Sequence, residues 1–198
     1  DKQRYARHLS LAEIGATGQG RLKNAKVIVV GAGGLGSPCA LYLAAAGIGK
    51  LALVDHDVVD LSNLQRQILF ASQDINRNKA DAGGKRLAAL NPDIEIVALE
   101  LKLTAENALD TLSDYDIVVD GTDRIATRYL INDTCVILRK PLVSAALKRL
   151  SPEAAQDLLR RAARTDRILK GRGTGDVWQE LQCLALSMSG LKPATCLI

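Results

Sequence analysis

Short apolar runs and longer amphipathic segments alternate along the first part of the chain. The run Lys26–Val30 is β-branched and almost uninterrupted, which is typical of a parallel strand buried on both faces. Apolar and small residues at helical spacing follow from Ser37 to Ala46, and we expect Gly47 to end this helix. A second apolar run, Lys50–Asp55, completes a strand, helix and strand unit of about thirty residues.

The alternation then continues with longer connections between the elements. It predicts three further helices and three further strands, which are, in chain order, a helix at Asn78–Leu90, a strand at Glu95–Leu101, a helix at Thr104–Leu112 with Thr104 as its cap, a strand at Ile117–Asp120, a helix at Arg124–Leu138 and a strand at Pro141–Ala145. Ahead of the first strand, residues 3–22 are predicted to form short helices broken near Gly15, Gly18 and Gly20. Alternating strands and helices predict the α/β fold class, with a doubly wound, mostly parallel, Rossmann-like sheet.

The pattern changes beyond Leu147. Ser151 and Pro152 read as a cap and a first helical residue, which predicts a helix as far as about Leu169. The glycine-rich stretch 171–175 then predicts a joint, and Val177–Ser189 a second, more apolar helix. We therefore expect a domain at residues 1–148, with an N-terminal helical arm, and an atypical helical C-terminal tail at residues 149–198.

Composition and charge limit the classes of protein to which the chain could belong. At 198 residues and 47% hydrophobic content, the chain can bury a substantial core. Its net charge of +4 lies within residues 1–26, and the rest of the chain is balanced. A basic arm suits an anionic partner such as a phosphate, or a solvated surface, and nothing in the composition calls for a nucleic-acid partner.

The cysteines favour neither a disulfide framework nor a zinc site. They lie far apart, without a Cys-x-x-Cys pair or a histidine cluster, at positions Cys39, Cys135, Cys183 and Cys196. The sequence also shows no signal peptide and no uninterrupted apolar stretch of about 18 residues. We therefore expect reduced thiols, a cytoplasmic location and no membrane segment.

A glycine-rich turn directly follows the first predicted strand. Gly31, Gly33 and Gly36 have the G-x-G-x-x-G spacing at the mouth of the next helix, and Gly34 is a further small residue within the turn. These glycines allow a tight turn, close approach of the backbone to phosphate, and close packing of helix on strand. Backbone N–H groups at the helix start favour an anion. The turn predicts nucleotide binding, and a tight turn with nothing bound is the alternative.

Acidic residues end the second strand, about twenty residues after the turn. The carboxylate of Asp55 could accept hydrogen bonds from ribose hydroxyls, and Asp57 could assist it or face solvent. A nicotinamide-dependent dehydrogenase would explain the sequence up to this point.

A dense polar segment, Leu61–Gln67, follows and is unusual for a simple crossover. Arg66 carries a planar charged fork that suits phosphate oxygens, Asn63 could orient a carboxylate or a phosphate, and Ser62 adds a hydroxyl. Lys79 stands at a predicted helix start, where it could reach the same anion; an exposed surface lysine is the alternative. Polar groups and cations beside the phosphates indicate that the nucleotide is consumed, not merely held.

The segment Asp120–Asp123 ends a later strand, at the edge where ligands of open parallel sheets bind. The carboxylate of Asp123 could hold Mg²⁺ beside a triphosphate, and it could also cap the next helix. The chain has no G-x-x-x-x-G-K-[ST] loop, which argues against an ordinary phosphate-loop NTPase. We therefore expect Arg66, Lys79 and Asp123 to converge on one triphosphate pocket over the glycine turn.

In this order and spacing, the motifs of residues 3–148 resemble the bacterial sulfur-carrier adenylyltransferases of the ThiF and MoeB type, in the ubiquitin-activating-enzyme superfamily. The resemblance is carried by Arg4–His8, Gly31–Gly36, Asp55–Asp57, Leu61–Gln67, Lys79, Gly121–Asp123 and Lys140–Ser144. It implies an enzyme that uses ATP and Mg²⁺ to adenylate the C-terminal glycine carboxylate of a small ubiquitin-like carrier protein ending in Gly-Gly, with release of pyrophosphate. The carrier could serve thiamine, molybdopterin or another sulfur pathway.

The resemblance also implies roles for individual residues. Asp55 would hold the ribose, Arg66 and Lys79 the phosphates, and Asp123 the metal. Asn63 would help to order the site.

One further residue supports the resemblance, and two other features of the sequence depart from the family pattern. Arg7 matches the family arginine that reaches across a dimer interface into the neighbouring active site, which implies a homodimer. By contrast, Arg124 stands where the family has asparagine, and the family's zinc-binding cysteine pairs are not visible after Leu147. The alternatives are a related binding module that engages a partner without turnover, and a nicotinamide-dependent dehydrogenase.

Overall fold

The computed structural model of the chain describes residues 3–144 and, beyond them, Arg164. Residues 3–144 are built around a five-stranded sheet whose strands are all parallel. The strands are β1 (Lys26–Val30), β2 (Lys50–Val54), β3 (Glu95–Leu99), β4 (Ile117–Asp120) and β5 (Leu142–Ser144). Their order across the sheet is β3-β2-β1-β4-β5, so the chain reverses its direction of winding between β1 and β4.

Six α-helices lie in the described part of the chain. They are α1 (Ala6–Leu9), α2 (Gly15–Asn24), α3 (Gly36–Ala46), α4 (Lys79–Leu90), α5 (Ala108–Ser113) and α6 (Ile125–Leu138). Helix α4 begins where the Asn78 side chain accepts hydrogen bonds from the N–H groups of Ala80 and Asp81. Helix α3 ends at Gly47, whose φ of 85° is left-handed and easily adopted by glycine.

Two apolar layers cover the two faces of the sheet. Alternate residues of β1 point to opposite sides, so Val27 and Val29 pack with α3 and α4, whereas Ile28 and Val30 pack with α5 and α6. The central strands β1 and β2 are buried along almost their whole length. Burial on both faces explains why these strands are continuous apolar runs in the sequence.

Three glycine backbones meet where β1, β4 and α3 come together. A Cβ on Gly36 would overlap the carbonyl oxygen of Gly31, and a Cβ on Gly121 would lie 2.7 Å from the same oxygen and 2.8 Å from the Gly36 Cα. Gly31 itself has a φ of 90°. The helix and the two strands approach this closely because none of the three residues has a side chain.

The N-terminal helices are attached to α3 and α4 by buried polar side chains. Asn91, which is fully buried, donates hydrogen bonds to the Tyr5 hydroxyl at 2.8 Å and to the carbonyl oxygen of Ala44 at 2.7 Å. Gln19 donates to the carbonyl oxygen of Ala46 at 3.0 Å, and its own carbonyl oxygen lies 2.8 Å from a ring nitrogen of His8. The helical arm therefore has a defined position on the domain.

The α/β class and the parallel, doubly wound sheet predicted from the sequence are confirmed. Two local predictions are wrong. Helix α2 continues through Gly18 and Gly20, because glycine lowers helix stability without ending a helix by itself. Thr104 does not cap α5: its N–H donates to the Asn107 side chain at 2.9 Å in a preceding turn, and the helix begins at Ala108.

The predicted helical tail lies outside the described residues, as do Cys183 and Cys196. Cys39 and Cys135 form no disulfide in the part of the chain that the structure describes. Burial raises the pKa of the Cys135 thiol, which keeps it protonated at neutral pH. Within residues 3–144, no helix has the length and apolar character needed to cross a bilayer.

Replacing two helical glycines by alanine should change stability in opposite directions. Gly36→Ala forces a Cβ onto the Gly31 carbonyl and should lower the free energy of unfolding by about 3 kcal/mol or more. Gly20→Ala meets no atom within 4 Å and should raise it by about 0.5–1 kcal/mol, because alanine loses less backbone entropy. Denaturant unfolding of both variants measures the difference, and equal stabilities would contradict the close packing described here.

Candidate active site

A cavity of about 460 Å³ opens at the carboxyl ends of β1, β2 and β4, where the winding reverses. Ligands of open parallel sheets bind at this position. We call it the switch-point cavity, and it is lined by Val30, Gly31, Gly33, Gly34, Leu35, Val54, Asp55, His56, Asp57, Arg66, Gln67, Lys79, Leu101, Lys102, Leu103, Gly121, Thr122, Asp123, Arg124 and Thr127.

Asp55 holds the glycine turn in place from the neighbouring strand. One carboxylate oxygen accepts a hydrogen bond from the Ala32 N–H at 2.7 Å, and the other accepts one from the Asp57 N–H at 2.9 Å. Each oxygen keeps a further lone pair for a ligand hydroxyl. The residue predicted to hold a ribose is thus also a structural support for the turn beside it.

Arg66 lies against Gly34 on the same wall. Its Cγ and Cδ are each 3.6 Å from the position that a Cβ would take at Gly34, and its Nη1 donates to the carbonyl oxygen of Ser62 at 3.1 Å. Asp60 begins this short 3-10 turn by accepting from the Ser62 N–H at 2.8 Å. Hydrogen bonds from the Ser62 side chain and backbone lower the pKa of Asp60, so its carboxylate stays ionised in this role.

Lys79 is a buried cation that faces the cavity from the first turn of α4. It is only 7% exposed, and its Nζ lies 3.4 Å from an oxygen of Asp57. Its backbone N–H also donates to the Asp57 carbonyl oxygen at 2.9 Å, which fixes the start of α4 against the β2 end. A buried ammonium whose contacting carboxylate, Asp57, is itself exposed favours an additional anion in the cavity.

Asp123 is carried on a loop that is fixed by its neighbours. The buried Asp120 accepts hydrogen bonds from the N–H and the hydroxyl of Thr122, at 2.9 and 2.6 Å. Arg128 donates two hydrogen bonds to the Thr122 carbonyl oxygen, at 3.0 and 2.6 Å, and its Nε lies 3.6 Å from Asp120. The peptide that leads into Asp123 is therefore held on both sides, while Asp123 itself is exposed on the cavity wall.

The carboxylates around the cavity suit a hard cation. Asp55, His56 and Asp57 each offer a possible ligand atom within 4.8 Å of one another, and the carboxylate of Asp123 also lines the cavity. Mg²⁺ prefers such oxygens and usually completes its coordination with water and phosphate. The donor set therefore fits Mg²⁺ bound together with a phosphorylated ligand.

The structure brings together most of the residues predicted for the site. Gly31, Gly33, Gly34, Asp55, Asp57, Arg66, Lys79 and Asp123 all line the switch-point cavity. Gly36 lies behind the turn, where it packs against Gly31. Ser62 and Asn63 lie outside the cavity wall and support the turn that carries Arg66. Arg7 is exposed on α1 and does not line the cavity of its own chain.

Several residues of the cavity were assigned no role from the sequence. Leu101 and Leu103 follow β3 and, together with Val30 and Val54, add an apolar part that suits a flat base. Their position just after the carboxyl end of a strand could have identified them as residues that line the cavity. Gln67 was part of a recognised motif, but nothing in the pattern distinguished its side chain from those beside it.

The chain is similar to a known protein family and to several of its members. The ThiF family profile matches residues 5–154. Over 152 residues the chain is 49% identical to a probable adenylyltransferase/sulfurtransferase, MoeZ, of Mycobacterium tuberculosis, covering 77% of this chain and 39% of that protein. Over 146 residues it is 49% identical to the sulfur carrier protein ThiS adenylyltransferase of Escherichia coli, covering 74% of this chain and 58% of that protein.

A solved structure agrees with the sequence comparison. The E. coli tRNA N6-threonylcarbamoyladenosine dehydratase TcdA, in complex with ATP, is similar with a TM-score of 0.69 and 29% identity over 72% of this chain and 58% of that one. The chain spans between 39% and 58% of the length of the two curated relatives above. Because the profile covers most of the sequence, and with it the glycine turn, the polar segment and the Asp123 loop, the chain belongs to the ThiF family.

Proposed function

We propose that the chain binds ATP with Mg²⁺ in the switch-point cavity and transfers AMP to the C-terminal glycine carboxylate of a small ubiquitin-like sulfur carrier ending in Gly-Gly. The observation that carries the proposal is the arrangement of Arg66, Lys79 and Asp123 around one cavity over the glycine turn. Two cations and a carboxylate on the wall of one cavity of about 460 Å³ match a metal-bound triphosphate. The names of the curated relatives give the carrier-protein class.

The proposed reaction is a displacement at the α-phosphorus. An oxygen of the carrier carboxylate forms a bond to that phosphorus, the bond from the phosphorus to the bridging oxygen breaks, and pyrophosphate leaves with the electron pair. The carboxylate is already ionised at neutral pH, so no side chain has to act as a general base. This agrees with a cavity wall whose single imidazole, His56, lies beside Asp57.

The cations act on the charge that develops during this displacement. Arg66 donates a hydrogen bond to the Ser62 carbonyl oxygen, and Lys79 is paired with Asp57, so both cations are already positioned at the cavity. Charges positioned in advance need no reorganisation as the pyrophosphate leaves, and this lowers the barrier. Asp55 would bind the ribose hydroxyls, and Leu101 and Leu103 the base. Mg²⁺, held by Asp123, would neutralise part of the phosphate charge.

We also propose that the working enzyme is a homodimer in which Arg7 completes the neighbouring site. Arg7 is exposed and lies outside the cavity of its own chain, so a contribution to the reaction would have to come from a second copy. The polar contacts of Asn91 and Gln19 hold the arm that carries it. The cytoplasmic location expected from the sequence stays a prediction.

Loss of either cation or of the acid should strongly reduce the activity without unfolding the chain. In an ATP–pyrophosphate exchange assay with a carrier ending in Gly-Gly, Arg66→Ala, Lys79→Ala and Asp123→Ala should each reduce carrier-dependent exchange about 10²–10³-fold. Arg86→Ala, which removes an exposed charge from the outer part of α4, is the matched control and should behave as the wild type. ATP binding without any exchange in the wild type would favour a binding module, and preferential NADH binding would favour a dehydrogenase.

The requirement for Mg²⁺ should depend on Asp123. Chelation with EDTA should stop exchange, and added Mg²⁺ should restore it. Asp123→Asn keeps the shape but loses the charge, so the Mg²⁺ concentration for half-maximal exchange should rise at least about tenfold. Asp114→Asn, at an exposed position after α5, should leave the Mg²⁺ titration unchanged. An unchanged titration for Asp123→Asn would remove this residue as the metal ligand.

Mixing two inactive variants tests whether Arg7 acts in the neighbouring site. Arg7→Ala and Lys79→Ala should each be inactive alone. If the site combines Lys79 of one copy with Arg7 of the other, mixed dimers contain one intact site, and an equal mixture should regain about a quarter of the wild-type sites. Exchange activity after co-refolding or subunit exchange measures the recovery. No recovery in confirmed mixed dimers would place both residues in the same copy or exclude a role for Arg7.

A further inference from the structure

Gln67 is a buried side chain in the wall of the switch-point cavity that the mechanism above does not use. It is 4% exposed and follows Arg66 in the polar turn. Its backbone is fully engaged, because its N–H donates to the Asn63 carbonyl oxygen and its own carbonyl oxygen accepts from the Phe70 N–H. These backbone hydrogen bonds restrain the point from which the Gln67 side chain extends into the cavity wall.

The carboxamide oxygen of Gln67 is buried and has no hydrogen-bond partner; within the described residues it is the one buried side-chain polar atom in this condition. A buried acceptor without a donor destabilises the folded state, and an apolar side chain of similar length would avoid that cost. Met has nearly the same length as Gln and carries no strong hydrogen-bonding group. A glutamine retained for structure alone would be expected to bond at this end.

The NH₂ group of the Gln67 carboxamide lies on the side of the glycine turn. The side-chain Nε2 lies 4.0 Å from the position that a Cβ would take at Gly33, so the NH₂ group faces the glycine turn. Backbone N–H groups of such a turn bind phosphate oxygens, which accept hydrogen bonds when they are ionised. An amide that turns its NH₂ group toward these oxygens must leave its oxygen on the protein side.

We propose that Gln67 is a nucleotide-binding residue whose Nε2–H donates to a phosphate oxygen held over Gly33 and Gly34. This inference rests on the proposed binding of ATP. The unpaired oxygen follows from that orientation, because the opposite one would place two acceptors, the amide oxygen and the phosphate oxygen, against each other. The residue thus lowers the stability of the free protein and raises its affinity for the nucleotide.

Opposite changes in stability and affinity form the test. Gln67→Met should raise the Tm of the free chain, because the buried acceptor is gone, and should weaken ATP binding about 10- to 100-fold, because a hydrogen bond to a charged group is lost. Gln67→Glu places a carboxylate beside the phosphates and should weaken binding further. Calorimetric titration of the whole chain with Mg·ATP, without a carrier, gives the affinities. Gln65→Met, an exposed glutamine of the same turn outside the cavity wall, is the matched control and should change neither quantity.

Each result decides the inference. A lower Tm with unchanged ATP affinity for Gln67→Met would make the residue structural and overturn the proposal, as would unchanged values of both. Opposite changes in a protein that shows no carrier-dependent exchange would support Gln67 as a nucleotide contact while the proposed transfer reaction fails. A wild-type chain that binds no Mg·ATP would overturn both proposals together.

Discussion

The contact among three glycine backbones is the constraint on which the rest of the site depends. Gly31, Gly36 and Gly121 bring the end of β1, the start of α3 and the end of β4 to within van der Waals distance. The cavity exists because this contact ends both strands at one level and turns the helix N-terminus toward them. Asp55 then accepts a hydrogen bond from the Ala32 N–H and so restrains the backbone of the turn from the neighbouring strand.

The charged groups around this turn share a second property, which is that each is held by a contact within the protein. Lys79 is buried against Asp57, Arg66 is held by the Ser62 carbonyl, and the peptide before Asp123 is held by Arg128 and Asp120. Of these partners, Asp57 lines the cavity, whereas Ser62, Asp120 and Arg128 do not. The free energy needed to bring these charges close together is therefore met when the chain folds. A polyanion that binds in the cavity would require little rearrangement of them.

The sequence allowed the sheet and most of the cavity wall to be predicted, for physical reasons. Buried parallel strands are continuous apolar runs, and ligand-binding residues follow their carboxyl ends, so Asp55 and Asp123 could be located by position. The extent of α2 could not, because tertiary contacts of Gln19 stabilise a helix that its glycines disfavour. The unpaired carboxamide oxygen of Gln67 could not be predicted either. A missing hydrogen bond depends on packing and leaves no periodic pattern in the sequence.

Strand order has a consequence for how the chain matures on the ribosome. Strand β1 pairs with β4 as well as with β2, and Val27 lies beside Ile117, which is synthesised 90 residues later. Until β4 emerges, one edge of the most apolar strand is unpaired, and Gly121 is not yet available to close the contact with Gly31. A nascent chain can thus build β1, β2 and β3 while its open edge is prone to association with other chains, and the cavity forms only afterwards.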